Sequence, residues 1–323
     1  MRARHTATGL ALGYLADRVV GDPSRCHPVA ALGRALSTAE RRLYRDSRAA
    51  GLAYAAMCIG GAGVAAVAAR GLTARYAGGP GRVALTAAAT WSALGGTTLT
   101  RVGQDVAVAL DDGDIAAARA WVPSLCGRDP AALDAAGICR AAVESIAENT
   151  SDATVGPLVW GAVAGVPGLV VYRTVNTLDA MVGYRSDRYV RFGWASARLD
   201  DLMNLLPARL TGVLTVLLGP DRRRATRAWR RDARQHPSPN AGVVEAAFAG
   251  ALGLRLGGET VYPHGTELRP VLGDGREPGV NDLRAAVALS RRVQVGAVAV
   301  GVLVVGARGV IPDRVGISRR IGR

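Results

Sequence analysis

The sequence contains no lysine; all forty of its basic residues are arginine. A P-loop is therefore excluded, because its phosphate-contacting lysine is missing. A lysine Schiff base, a PLP aldimine and a lysine general base are excluded with it. Cysteine and histidine are scarce, at four residues each. The cysteines show no CxxC and the histidines no HxxxH, which argues against a structural zinc site or a disulfide framework. Aromatic residues make up only 5%, with two phenylalanines, so apolar volume must come from Ala, Val, Leu and Gly.

What is present is charge and long apolar runs. The formal net charge is +14 and the sequence pI is near 10.8. Mean hydropathy is +0.16 although 20% of residues are charged, so apolar and charged residues must lie in separate blocks. Residues 49–69, 83–100 and 153–172 carry no charge at all. Each is long enough as a helix to cross about 30 Å of hydrocarbon. Two weaker candidates are 202–218, interrupted by Pro207 and Arg209, and 293–307. The expected fold is all-α, an integral multi-pass membrane protein with polar helical loops and roughly four or five spans. Residues 1–323 are expected to form a single membrane domain.

The arginines bear on topology. Arg41, Arg42, Arg45 and Arg48 precede the first run, which the positive-inside rule places in the cytoplasm. A third simple crossing at 153–172 would export Arg173, Arg185, Arg188, Arg191 and Arg198, against that rule. This run also holds Pro157, Pro167 and four glycines, which suit no straight helix. A broken or re-entrant segment near 153–172 is expected, with 140–152 and 173–201 on one face. The N-terminal stretch, with Arg2 and Arg4 before a short apolar run and no cleavage site, is expected as a retained helix. Seven arginines between Arg222 and Arg234 suit anionic lipid head groups. Basic residues flank the apolar runs instead of forming one footprint, so nucleic acid is not an expected partner.

Gly61, Gly63 and Ala66 spell GxGxxA, but inside a charge-free run and without a following acid; helix packing by small residues accounts for them better. Residues 140–152, RAAVESIAENTSD, are more informative. Arg140, Glu144 and Glu148 share one helical face, and Asp152 abuts the apolar run. These carboxylates, with Asn149, have the hard oxygens that hold Mg²⁺; an Arg–Glu ladder on a solvated face is the alternative. In 172–201, Arg173, Asn176 and Asp179 are spaced by three, as are Arg185, Arg188 and Arg191. Such arginines present forks to phosphate oxygens, or simply snorkel beside the membrane. Asp200 and Asp201 form a second acidic pair. His27 and His236, each before a proline, suit structural roles.

Four strings together resemble a known family. VVGDPSRCHPV, ESIAENTSDATVGPL, YRTVNTLDAMVGYRSDRYVRFGWASARLDDLMNLLPARLT and RDARQHPSPNAGVVEAAFAGALGLRLGG are similar, in order, to motifs of the CobD/CbiB family of adenosylcobinamide-phosphate synthases. The resemblance covers about residues 10–310. Two departures stand out: Ser151-Asp152-Ala153 replaces Val-Asp-Gly after AENT, and residues 258–266 depart from the family pattern.

The resemblance implies a cytoplasmic-membrane enzyme of cobalamin biosynthesis. It implies amide ligation of (R)-1-aminopropan-2-ol O-phosphate, or free aminopropanol, to adenosylcobyric acid. Mg²⁺ and ATP are the implied cofactors; the bilayer and other cobalamin-pathway enzymes are the implied surroundings. A carboxylate must be activated before an amine attacks it, most simply as an acyl phosphate, and the ammonium must lose a proton. Against that chemistry Glu148 and Asp152, supported by Asn149, are the expected metal ligands. Arg173, Asn176, Arg185 and Arg188 are the expected phosphate contacts, and Glu144 or Asp179 the expected base. A permease for an anionic substrate, or a membrane scaffold for late cobalamin enzymes, is the alternative; no internal repeat supports the permease.

Overall fold

A computed structural model describes residues 2–22, 28–184, 186–262 and 265–310. Among them the chain runs through α1 (Arg2–Val20), α2 (Pro28–Leu43), α3 (Arg48–Tyr76), α4 (Gly78–Ala93), α5 (Gly96–Asp111), α6 (Ile115–Trp121) and α7 (Ala135–Thr150). It continues through a π-helical turn, Ser151–Val155, into α8 (Gly156–Ala164), α9 (Val166–Val182), α10 (Trp194–Leu218), α11 (Arg222–Asp232) and α12 (Ala241–Leu252). A β-hairpin, β1 (Leu256–Tyr262) and β2 (Gly265–Leu272), precedes α13 (Val280–Val310). The protein is thus mostly helical, and the all-α expectation needs one correction: the antiparallel hairpin, which pairs Leu256 with Leu272 and Tyr262 with Gly265.

Local chemistry sets several boundaries. The side chains of Ser47, Asp134 and Asp221 accept from Ala50, Gly137 and Arg224 amides, capping α3, α7 and α11. Among the described residues three helices are long and apolar enough to cross a membrane: Arg48–Tyr76, Trp194–Leu218 and Val280–Arg308. They contain the runs 49–69, 202–218 and 293–307. The run 83–100 is not one span. It breaks at Leu94–Gly95 between α4 and α5, where a side chain on Gly96 would strike Thr154 and Gln294.

The run 153–172 is broken as well. α8 and α9 fold against each other as a hairpin, turning at Gly165 with φ +66°. Prolines account for much of this irregularity, because each removes the donor for the carbonyl four residues back. Pro157 leaves the Ala153 carbonyl free, and the Gly95 amide donates to it at 3.1 Å. Pro207, inside α10, frees the Met203 carbonyl, which accepts from Trp160 Nε1 at 3.0 Å. The exposed end of α8 is held by Arg308, whose Nη1 donates to the Ala162 and Val163 carbonyls at 2.9 and 3.2 Å. The N-terminal stretch is a helix, α1, packed on α4 and α13.

Candidate functional site

Five carboxylates converge because four elements meet beside the π-helical turn. α7 supplies Glu148, and the turn rotates Asp152 onto the same space. α9 supplies Asp179, and the first three turns of α10 supply Asp200, Asp201 and Asn204. With Ser238 and Asn240 before α12, these residues line a cavity of about 200 Å³.

Amide side chains hold the acids in place. Asn204 Nδ2 donates to Asp200 Oδ2 at 2.9 Å, and its Oδ1 accepts from the Tyr172 hydroxyl at 2.7 Å. Asn176 Nδ2 donates to Asp200 Oδ1 at 3.4 Å, and its Oδ1 accepts from Arg173 Nη1 at 3.3 Å. Arg173 is thus linked to Asp200 through Asn176, behind the cavity wall, and its Nε is buried without a partner. Asn240 Nδ2 donates to the Asp201 carbonyl at 2.7 Å. Gly183 closes over Asp179, leaving no room for a side chain between itself and that carboxylate.

Burial dominates the electrostatics. It pushes the Asp179 carboxyl up to about 7, with Asp200, Asp201 and Glu148 adding repulsion. It likewise holds Asp152 well above the ordinary carboxylate range, reinforced by Asp200, Glu148 and Asp179. Glu148 is solvent-exposed and lines the cavity, while the protein packed around its carboxyl raises it, with Glu144 adding repulsion.

Behind Glu148 lies a second ionic cluster. Glu144 is buried, paired with Arg128, and accepts from the Gly257 amide at 2.7 Å. Glu245 is buried at 3.7 Å from both Arg269 and His236. Arg269 Nη2 lies against His236 Nε2, and on the other side of the ring Nδ1 accepts from the Ser238 amide at 3.0 Å. Burial and Arg269 push this imidazole down to about 4.

The structure thus brings together Glu148, Asp152 and Asp179 among the expected site residues, with Arg173 and Asn176 behind Asp200 and outside the cavity lining. It does not bring Glu144 or Asn149 to the cavity. Asn149 Nδ2 turns back to Ser145, at 3.0 Å from the carbonyl and 3.1 Å from the hydroxyl. The Arg140–Glu144 ladder is not formed either, since Arg140 donates to the Glu259 carbonyl at 2.8 Å. Arg188 lies elsewhere, on the Tyr44 ring at 4.1 Å and on Glu40 at 3.2 Å. Arg185 lies outside the described residues, as does His27. Asn204, Asn240, Arg128, Glu245 and Arg269 escaped the sequence reading; a lone acid inside apolar α12 was the available signal for Glu245.

The donor set is one that Mg²⁺ accepts: several hard carboxylate oxygens whose mutual repulsion a cation would relieve. Among the described residues, no three His, Cys, Asp or Glu side chains form a preassembled metal-ligand group. Mg²⁺ ordinarily keeps several waters and needs only one or two carboxylates. The residues fit the ion on that basis. They do not mark an ATP site, having neither lysine nor a glycine-rich phosphate loop.

Residues 10–290 match the family described as CobD/Cbib protein. The chain is 55% identical over 309 residues to the Cobalamin biosynthesis protein CobD of Mycobacterium tuberculosis, covering 94% of this chain and 96% of that one. It is 43% identical over 275 residues to the protein of that name from Geobacter metallireducens, covering 82% and 85%. To that of Chromobacterium violaceum it is 41% identical over 293 residues, covering 89% and 93%. No solved structure matches it.

Proposed function

This chain belongs to the CobD/CbiB family of cobalamin biosynthesis proteins, and from that premise we propose that its carboxylate cavity is the centre of an amide ligation. The substrates of this reading are adenosylcobyric acid and (R)-1-aminopropan-2-ol O-phosphate, or free aminopropanol, joined at the cytoplasmic membrane. Adenosylcobinamide phosphate is the product when the amine carries phosphate.

The observation that carries the proposal is the Asp179 carboxyl at about 7, beside Asp152, Asp200 and Glu148 in one small cavity. An aminopropanol arrives as an ammonium, and its nitrogen becomes nucleophilic only after losing a proton. A base whose pKa sits near the working pH is suited to take it, and Asp179 has that property. The surrounding acids attract the ammonium before it is deprotonated. The cavity is smaller than the roughly 300–1,000 Å³ of an ordinary ligand site, so only the reacting carboxyl and the amine enter it and the corrin ring stays outside. In this reading Arg173, linked to Asp200 through Asn176, is assigned to the phosphate of the amine. Mg²⁺, held by Glu148 and Asp152, would supply charge neutralisation at phosphate oxygens. ATP enters this reading through the family resemblance, and no residue is assigned to it.

The test is direct. Purified protein in detergent is given adenosylcobyric acid, aminopropanol phosphate and MgATP, and the corrin is read by mass. The expected product is heavier by the amine less one water and forms only with ATP. Its absence from folded, lipid-reconstituted protein would refute the ligation.

A further inference from the structure

A second cavity lies at the other end of the α8–α9 hairpin, about 15 Å from the end of the π-helical turn at 1.5 Å per residue. Its volume is about 500 Å³, and Gly165, the hairpin tip, forms part of its wall. Four cationic or titratable side chains face it: Arg70 from the end of α3, Arg82 from α4, Arg308 from the end of α13, and His5 from α1. No Asp or Glu lines it. Among the described residues neither Arg70 nor Arg82 has an acidic partner, and His5 Nδ1 is buried with none. Arg308 spends Nη1 on the α8 carbonyls, leaving Nε and Nη2 free of that duty. The uncapped amino end of α9 at Gly165 and Val166 adds further positive potential.

Arg70 and Arg308 are exposed and Arg82 is half-buried, so three guanidiniums with no acid among them present a basic face at the mouth of the cavity, where an anion would meet them together. The rest of the wall identifies the anion's kind. Leu85, Val163 and Val305 give it an apolar side. The cavity also lies beside the faces of α3 and α13 that leave Val67 (49%), Leu72 (59%), Leu303 (71%) and Val304 (39%) exposed. Arg70 is 22 residues beyond Arg48, or about 33 Å along α3, which is the depth of one hydrocarbon core.

We propose that this cavity binds an anionic phospholipid, its phosphate against Arg70, Arg82 and Arg308 and its acyl chains along α3 and α13. The site lies at the opposite end of the α8–α9 hairpin from the carboxylate cavity. The inference is independent of the ligation chemistry.

The intact protein in detergent is titrated with dioctanoyl phosphatidylglycerol, dioctanoyl phosphatidylcholine and inorganic phosphate, with bound species counted by native mass spectrometry. Phosphatidylglycerol should bind tightest. The double variant Arg70→Gln/Arg82→Gln should weaken it about thirty-fold, from roughly fivefold per arginine at a charged lipid surface. Arg70→Lys/Arg82→Lys should retain most of the affinity, and Arg75→Gln, outside the cavity, should change nothing. Equal binding by the glutamine variant, or phosphatidylcholine binding as tightly, overturns the proposal. Displacement by equimolar inorganic phosphate overturns the lipid assignment in favour of a free anion. Should the glutamine variant not fold, a salt series on the wild type decides: affinity unchanged by salt refutes the ionic contact.

Discussion

Trp160 Nε1 donates to the carbonyl oxygen of Met203 at 3.0 Å, the carbonyl that Pro207 leaves without a helical donor. One indole therefore ties the broken hairpin to α10, the helix that carries Asp200 and Asn204. Trp160→Phe keeps an aromatic ring and removes the donor, which should cost about 1–2 kcal/mol. Pro207→Ala restores an amide to the Met203 carbonyl. The double variant should therefore be less destabilised than the sum of the two singles, as measured by denaturant titration in detergent.

Arg128 and Glu144 form a buried pair whose second carboxylate oxygen takes the Gly257 amide. Arg128→Met leaves that carboxylate uncompensated and should cost about 3–5 kcal/mol. Adding Glu144→Gln, which still accepts from Gly257, should recover a large part of the loss. Thermal unfolding of the three proteins measures this coupling.

The long apolar runs were legible because charge is absent from them: α3 follows 49–69 with one turn or two added, whereas α13 begins thirteen residues before 293–307, in a charged stretch that hydropathy does not mark. Hydropathy is blind to glycine geometry, however, so the break at Leu94–Gly95 inside 83–100 left no mark on it. In the site, Glu148 and Asp152 were visible as carboxylates one turn apart at the edge of an apolar run. Arg188 was misread because its partner Glu40 lies 148 residues away, and no local spacing encodes that contact. Glu245 was passed over because an apolar helix conceals a single acid whose partners, Arg269 and His236, come from other elements. The β-hairpin escaped because Leu256-Gly257-Gly258 carries none of the alternation that marks a strand.

Gly183 has an ordinary φ of −74°, so its requirement for glycine is steric. Any Cβ there meets the Asp179 carboxylate. Gly183→Ala should leave thermal stability lowered by about 1–3 kcal/mol and displace Asp179, lowering kcat more than it raises KM. Unchanged kcat would show that Asp179 is not the base.

Acid and base act in opposite senses on stability here. Asp179 titrates at about 7 in the folded protein and about 4 when unfolded. Its protonated form is thus favoured by folding, and its contribution is lost as pH rises from about 4 to 7. His236, held down to about 4, costs stability as pH falls from about 6.5 to 4. Mg²⁺ binds ionised carboxylates, so its stabilising effect should be larger at about pH 8 than at about pH 5.5. Thermal melts with and without Mg²⁺ at the two pH values check this; Glu148→Gln with Asp152→Asn should abolish the difference.

The most direct measurement compares the single-turnover rate of corrin amidation for Asp179→Asn and Arg188→Gln with that of the wild type. Removing the base in the carboxylate cavity should lower the rate about 10²–10⁴-fold, while Arg188→Gln, remote from the cavity, should leave it near wild type. Full activity in Asp179→Asn together with loss in Arg188→Gln would place the chemistry outside this cavity and contradict the account.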